Sequence, residues 1–178
     1  MLVESFRLVT ARLIPGALRP KLLLVAAPLI LAGCGGSSAE ETPPLHLKGA
    51  GFSFQAPGGW QAQRSEGKVS AVRDSELVQV ATFRLLKPYR NALFDRVEPE
   101  LSTRMRQLAQ QTGGSVSAGR TVVTDGIRSH SYEVKVGDHV DQYTFVLQGM
   151  REFQLLCRRK SSSGDEACRQ LLTSFEVA

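Results

Sequence analysis

Residues 128–158 read RSHSYEVKVGDHVDQYTFVLQGMREFQLLCR, a run of alternating apolar and polar residues broken at two glycines. Apolar residues recur with period two: Tyr132, Val134 and Val136 share one face of a strand, and Tyr143, Phe145 and Leu147 share one face of the next. Gly137-Asp138 and Gly149-Met150 interrupt the alternation where two-residue turns belong. Arg128–Val136, Val140–Leu147 and Glu152–Arg158 therefore read as consecutive antiparallel strands, and Val116–Val123 joins them from upstream across Asp125-Gly126.

Before these strands the period changes. Val97, Leu101, Met105 and Leu108 fall on one helical stripe between about Asp95 and Thr112. Pro99 lacks a donor and fits only a first turn, so regular helix is expected from near Glu98, with Gly113-Gly114 as the stop. Further upstream, Leu45–Lys48, Gly51–Gln55, Lys68–Arg73 and Leu77–Leu86 read as strands. The last of these is apolar on both faces, as a central strand covered on both sides would be. Downstream, Cys168, Leu171, Leu172 and Phe175 have i, i+3, i+4, i+7 spacing, and Ser163-x-x-Glu166 offers a capping box. Two separated amphipathic helices against one mainly antiparallel sheet make an α+β domain, expected over residues 45–178.

The first 33 residues read as a signal peptide. Leu22–Leu31 is uncharged and follows a basic leader. Its ten residues would span about 15 Å as a helix, half of a bilayer's hydrocarbon core. Leu31-Ala32-Gly33-Cys34 resembles the lipobox of bacterial lipoproteins at all four positions. That resemblance implies a diacylglyceryl thioether on Cys34, cleavage after Gly33, and a lipid anchor on the outer face of the cytoplasmic membrane. In a Gram-negative cell, Gly35 in place of Asp points instead to the outer membrane. Residues 34–44 are small and polar and end in Pro43-Pro44, as a tether would. The formal charge of +5 falls to +2 once the four bases and one acid before Cys34 are set aside. That small excess gives no argument for nucleic acid as a partner.

With Cys34 committed to lipid, Cys157 and Cys168 remain, an even number for an oxidising compartment. Cys157 ends an apolar strand, and Cys168 lies in the first turn of the last helix on its apolar stripe. A disulfide between them, with Cα atoms about 5.5 Å apart, is expected.

Gly51-Phe52-Ser53-Phe54-Gln55-Ala56-Pro57-Gly58-Gly59-Trp60 resembles the opening of the PsbP-like families, where such a strand and turn begins an α/β/α sandwich. The element order is similar too, as is the ending Phe153–Cys157 followed by Leu172-Thr173-Ser174-Phe175. The resemblance extends to LpqN-type actinobacterial lipoproteins. It implies a binding module without a catalytic centre, a style of function rather than a partner.

Candidates for chemistry are few. His46, His130 and His139 include no pair at i, i+4 spacing, and no C-x-x-C occurs. Asp138-His139-Val140-Asp141 brings three polar ligands within four residues, but a solvated hairpin turn explains it, so no metal or other cofactor is expected. Ser65-Glu66-Gly67-Lys68 matches S-x-x-K, yet the S-x-N and K-T-G elements of penicillin-interacting enzymes are missing. Arg158-Arg159-Lys160, with Arg151 nearby, is the densest basic run of the exported part. It reads as a solvated strand end or a contact for anionic lipid or an acidic partner. The expectation is a membrane-anchored, non-enzymatic binding or accessory module whose partner is an envelope protein or a small ligand. An envelope hydrolase without a recognisable motif is the rival.

Overall fold

A computed structural model describes residues 42–178. The lipobox, Cys34 and all of the tether but its last three residues lie outside them. The element order is β1 (Leu45–Gly49), β2 (Phe52–Ala56), β3 (Gln61–Ser65), β4 (Lys68–Arg73), β5 (Glu76–Tyr89), a 3-10 turn (Asn91–Leu93), α1 (Phe94–Gln111), β6 (Ser115–Val116), β7 (Arg120–Thr124), β8 (Ile127–Val136), β9 (His139–Lys160), α2 (Glu166–Ser174) and β10 (Glu176–Val177).

The main sheet runs β3-β4-β5-β9-β8-β6, with β7 also on β8, and every pairing is antiparallel. The run β9 is unbroken but doubles back. Twenty-two residues drawn straight would reach roughly 70 Å, yet Arg158 Nε lies 2.7 Å from Asp141 Oδ1 and Ser161 N–H donates to the Asp138 carbonyl over 2.7 Å. The chain turns back at Gly149-Met150, where Gly149 has the positive φ (55°) that the first central residue of a type II′ turn requires. The two strands expected there are thus the two legs of β9: the first pairs with β8, the second with β5.

Adjacent residues of the legs face opposite sides, and each side has its own core. Val146, Phe153, Leu155 and Cys157 face a large cluster with Phe52, Phe54, Leu171 and Phe175, beneath α2 and the small sheet β1-β2-β10. Phe145 faces the other way and packs with Tyr132, Val134, Leu101 and Met105 beneath α1. Cys157 and Cys168 are bonded with Cα atoms 5.3 Å apart, fastening α2 to the second leg of β9.

Several expectations need correction. The strand read as Val116–Val123 is two pieces, β6 and β7, because one extra residue bulges out between the pairs Val116↔Val134 and Arg120↔Ser131. The bulge contains Gly119, where a Cβ would come within 2.6 Å of the Tyr132 ring. Helix α1 begins a turn early, at Phe94, so Pro99 is its sixth residue. The intrahelical bond this forgoes is to the Asp95 carbonyl, on an exposed side of the helix. The C-terminus ends as expected, with Gly114 N–H on the Ala109 carbonyl and Gly113 N–H on Gln110. Helix α2 starts at Glu166 with Asp165 as N-cap and no side-chain cap, so the Ser163 box does not form. The edge strand β3, exposed throughout, has no apolar alternation to announce it.

Candidate functional site

The sheet has two ends of opposite character. At one end lie the turn between β4 and β5, the turn between β8 and β9, and the disulfide. Guanidinium groups here meet carboxylates: Arg73 reaches Glu76 (3.1 Å), Arg159 reaches Glu133 (3.8 Å) and Arg169 reaches Asp165 (3.5 Å). Arg158 grips Asp141 with two bonds of 2.7 Å, and the bond to that carboxylate pushes the guanidinium pKa above its ordinary value. The basic run Arg158-Arg159-Lys160 is therefore largely neutralised internally, and Arg151 lies at the opposite end of the second β9 leg. The same ion pair occupies Asp141, the last member of the Asp138–Asp141 group, while His139 Nδ1 sits 2.7 Å from Asp138. No cluster of metal-binding side chains forms among the described residues. Ser65 and Lys68 face each other across the β3–β4 hairpin, both exposed.

The other end collects the tip of β9 at Gly149-Met150, the β7–β8 turn at Asp125-Gly126, the start of α1 and an irregular stretch of β5. Register between β5 and β9 jumps from Arg84↔Arg151 to Tyr89↔Gly149, and Leu85–Pro88 stands out of the ladder. Leu86 is 99% exposed, Phe83 49% and Met150 39%, an apolar group at one tip. Around it are Arg84, Lys87, Arg90, Arg128 and Arg151, none of which has a carboxylate within ion-pair distance among the described residues. Arg84 and Arg151 are directly opposite each other in the ladder, an arrangement of like charges that costs stability.

Beside this tip a cleft of about 630 Å³ is lined by Tyr89, Phe94, Arg128, Leu147 and Gln148. Its wall is a stack. The Phe94 ring inserts between two residues of β8, with His130 3.9 Å away and nearly parallel and the Arg128 guanidinium 4.1 Å above the other face. His130 also donates Nε2–H to the Phe94 carbonyl over 3.0 Å, fixing the start of α1. Arg128 is thereby held in place while its donors stay exposed. Burial raises the Tyr89 hydroxyl pKa, the Arg128 charge draws it down and Asp95 raises it. An apolar hollow of about 380 Å³, with Leu85, Leu93, Val97 and Leu101 in its walls, shares Tyr89 and Leu147 with the cleft. The arrangement can take an anionic group against an oriented guanidinium and apolar groups beside it. Nothing in the linear sequence announced it: Arg84 and Arg151 are brought together only by strand register, and Leu86 is exposed only because of the bulge.

Trp60 is buried and its indole N–H has no partner among the described protein groups, while Arg73 lies over its ring at 5.3 Å. No described helix is long and apolar enough to cross a membrane.

No protein-family model and no curated protein matches the chain. Among solved structures it resembles the solution structure of cyanobacterial PsbP (CyanoP) from Synechocystis, with a TM-score of 0.58 at 17% identity, over 83% of this chain and 99% of that one. A protein from Bacteroides thetaiotaomicron aligns with a TM-score of 0.42 at 10% identity, over 78% of this chain and 49% of that one. At this identity the likeness to cyanobacterial PsbP speaks for the fold alone: a mostly antiparallel sheet with two helices, PsbP-like.

Proposed function

We propose that the chain is a lipid-anchored, extracytoplasmic binding module built as a PsbP-like α/β/α sandwich, in the manner of LpqN-type lipoproteins, and that it works without a catalytic centre. The observation that carries the reading is the contrast between the ends of the sheet: charge is paired within the fold at one and left for a partner at the other. Around the cleft, the polar side chains are a guanidinium, a tyrosine hydroxyl and two side-chain amides, Asn91 and Gln148. Those groups suit recognition better than nucleophilic attack, which needs a nucleophile and a base in contact. The lipobox-like sequence at Cys34 supports the anchor and, with it, placement outside the cytoplasm.

Two experiments test the parts separately. Cys34→Ala is expected to abolish labelling by fatty acid and to release the protein from membranes or leave it unprocessed; continued labelling refutes the anchor. The processed protein is expected to hydrolyse no ester, peptide or β-lactam above background. A turnover lost on Ser65→Ala would replace the binding module with an enzyme.

A further inference from the structure

We infer that the Leu86 end is a docking surface for an acidic segment of a protein partner. The partner's carboxylates meet Arg84, Lys87, Arg128 and Arg151, and one of its apolar side chains lies against Leu86 and Met150. The inference deepens the binding-module reading above and rests on it.

Charge complementarity is the first argument. Elsewhere in the described chain most arginines have found a carboxylate, and one glutamate, Glu133, serves both Arg120 and Arg159. At this end Arg84 faces Arg151 with no counter-charge between them. The carboxylates nearby are few: Asp125 accepts the Val177 N–H, Glu152 is bonded to Arg104 at 2.9 Å, and Asp95 is in the first turn of α1. Carboxylates brought by a partner would relieve the repulsion, so binding gains what folding forgoes. Stacking of Arg128 on Phe94 adds orientation, since a guanidinium already held in place loses less freedom when it meets a carboxylate. The third argument is the apolar tip. A leucine exposed to 99% beside Met150 and a hollow walled by Leu85 and Leu101 is an anchor point rather than a lone surface residue.

An anionic bilayer would satisfy the same chemistry, and the end at which the described chain begins favours a protein partner over it. Thr42, the first described residue, lies against Gly58, where a Cβ would meet its carbonyl oxygen at 2.1 Å. This is the end of β2 away from Gly51, and Gly51 is the residue that touches Arg151. The described chain thus begins at the end that carries Trp60 and Arg73, and a lipid anchor upstream of Thr42 would attach the domain by that end, with the Leu86 tip farther from the point of attachment.

The test uses the mature chain, residues 34–178, expressed directly in that form with Cys34→Ser, so that success or failure of the lipid anchor does not enter. A fluorescent peptide with Asp and Glu residues around a central Leu-Phe pair is the probe, with its Asn/Gln counterpart as control. The acidic peptide is expected to bind with an affinity that falls as salt is added, and the control not to bind. Arg84→Glu/Lys87→Glu should weaken binding about tenfold or more, Leu86→Ser should weaken it severalfold, and Arg169→Glu on the far side should leave it unchanged. All three sites are exposed, and a melting curve for each variant separates a docking loss from a folding loss. Flotation with vesicles of phosphatidylglycerol against phosphatidylcholine runs in parallel. Peptide binding indifferent to the Arg84, Lys87 and Leu86 changes overturns the inference. So does no peptide binding together with flotation on phosphatidylglycerol that Leu86→Ser abolishes, which would make this end a lipid-facing surface.

Discussion

The end of the sheet that holds Cys157 and the end that holds Leu86 are built from the same strands, yet they resolve charge and apolar surface in opposite ways. At the first, Arg158 and Asp141 are joined bidentately, the disulfide is buried, and the Arg73 guanidinium covers Trp60. At the second, two arginines oppose each other and three large apolar side chains stand in solvent. A fold held together at one end can tolerate unfavourable contacts at the other, and such tolerated contacts concentrate where a protein meets its partners.

The largest effect should come from the disulfide. Closing an eleven-residue loop is worth roughly 3 kcal/mol on the chain-entropy model, so Cys157→Ser/Cys168→Ser should lower the melting temperature by about 10 °C or more. Thermal unfolding with and without reductant reads this directly. A shift within about 2 °C would mean that the Cys157 end is not the stabilising one. Asp141→Ala comes next. It strips the partner from Arg158, which is only partly exposed, and should cost about 1–3 kcal/mol by chemical denaturation.

Tyr132 sharpens the comparison through pH. Its ring is buried under α1, and its hydroxyl pKa is pushed up to about 12, first by burial and then by Glu98. The folded pKa lies above the unfolded value near 10. The contribution to stability is therefore complete below pH 10 and is lost as pH rises from 10 through about 12. Tyr132→Phe should flatten that alkaline loss, as urea midpoints across the range would record. The smallest expected effect is at the Leu86 end. Leu86→Ser should leave stability within about 0.5 kcal/mol, and Arg151→Gln should raise it by a few tenths, because it removes a cross-strand repulsion. A fall of more than about 1 kcal/mol in either variant would show that this end is structural after all.

Much of the scaffold was legible in the sequence. Strict alternation in Arg128–Val136 and at Tyr143, Phe145 and Leu147, with glycine at each turn, fixed the hairpins. The even count left once Cys34 is set aside, with Cys157 ending an apolar strand and Cys168 on the apolar stripe of the last helix, placed the disulfide. What was not legible depends on contacts distant in sequence. The start of α1 is set by the Phe94 ring fitting between Arg128 and His130, so Pro99 misled as a boundary. β3 is an exposed edge held by backbone bonds to β4, and none of its five residues carries a pattern. The basic run at Arg158 looked like the charged patch because adjacency in sequence was the only measure of density; the fold pairs those arginines and assembles the unpaired ones from residues 84 to 151. The Leu86 end is a product of register and of one bulge, and neither can be read from a single chain of letters.

The contrast between the ends has one direct test. Backbone amide chemical shifts of the processed chain are recorded by NMR while the acidic peptide is added. The expected changes are confined to residues 83–90, 126–130 and 148–151, with the resonances of Arg73, Asp141 and Cys168 unmoved. Changes centred on Asp141 and the Arg158–Lys160 run, or spread evenly over the domain, would contradict that contrast.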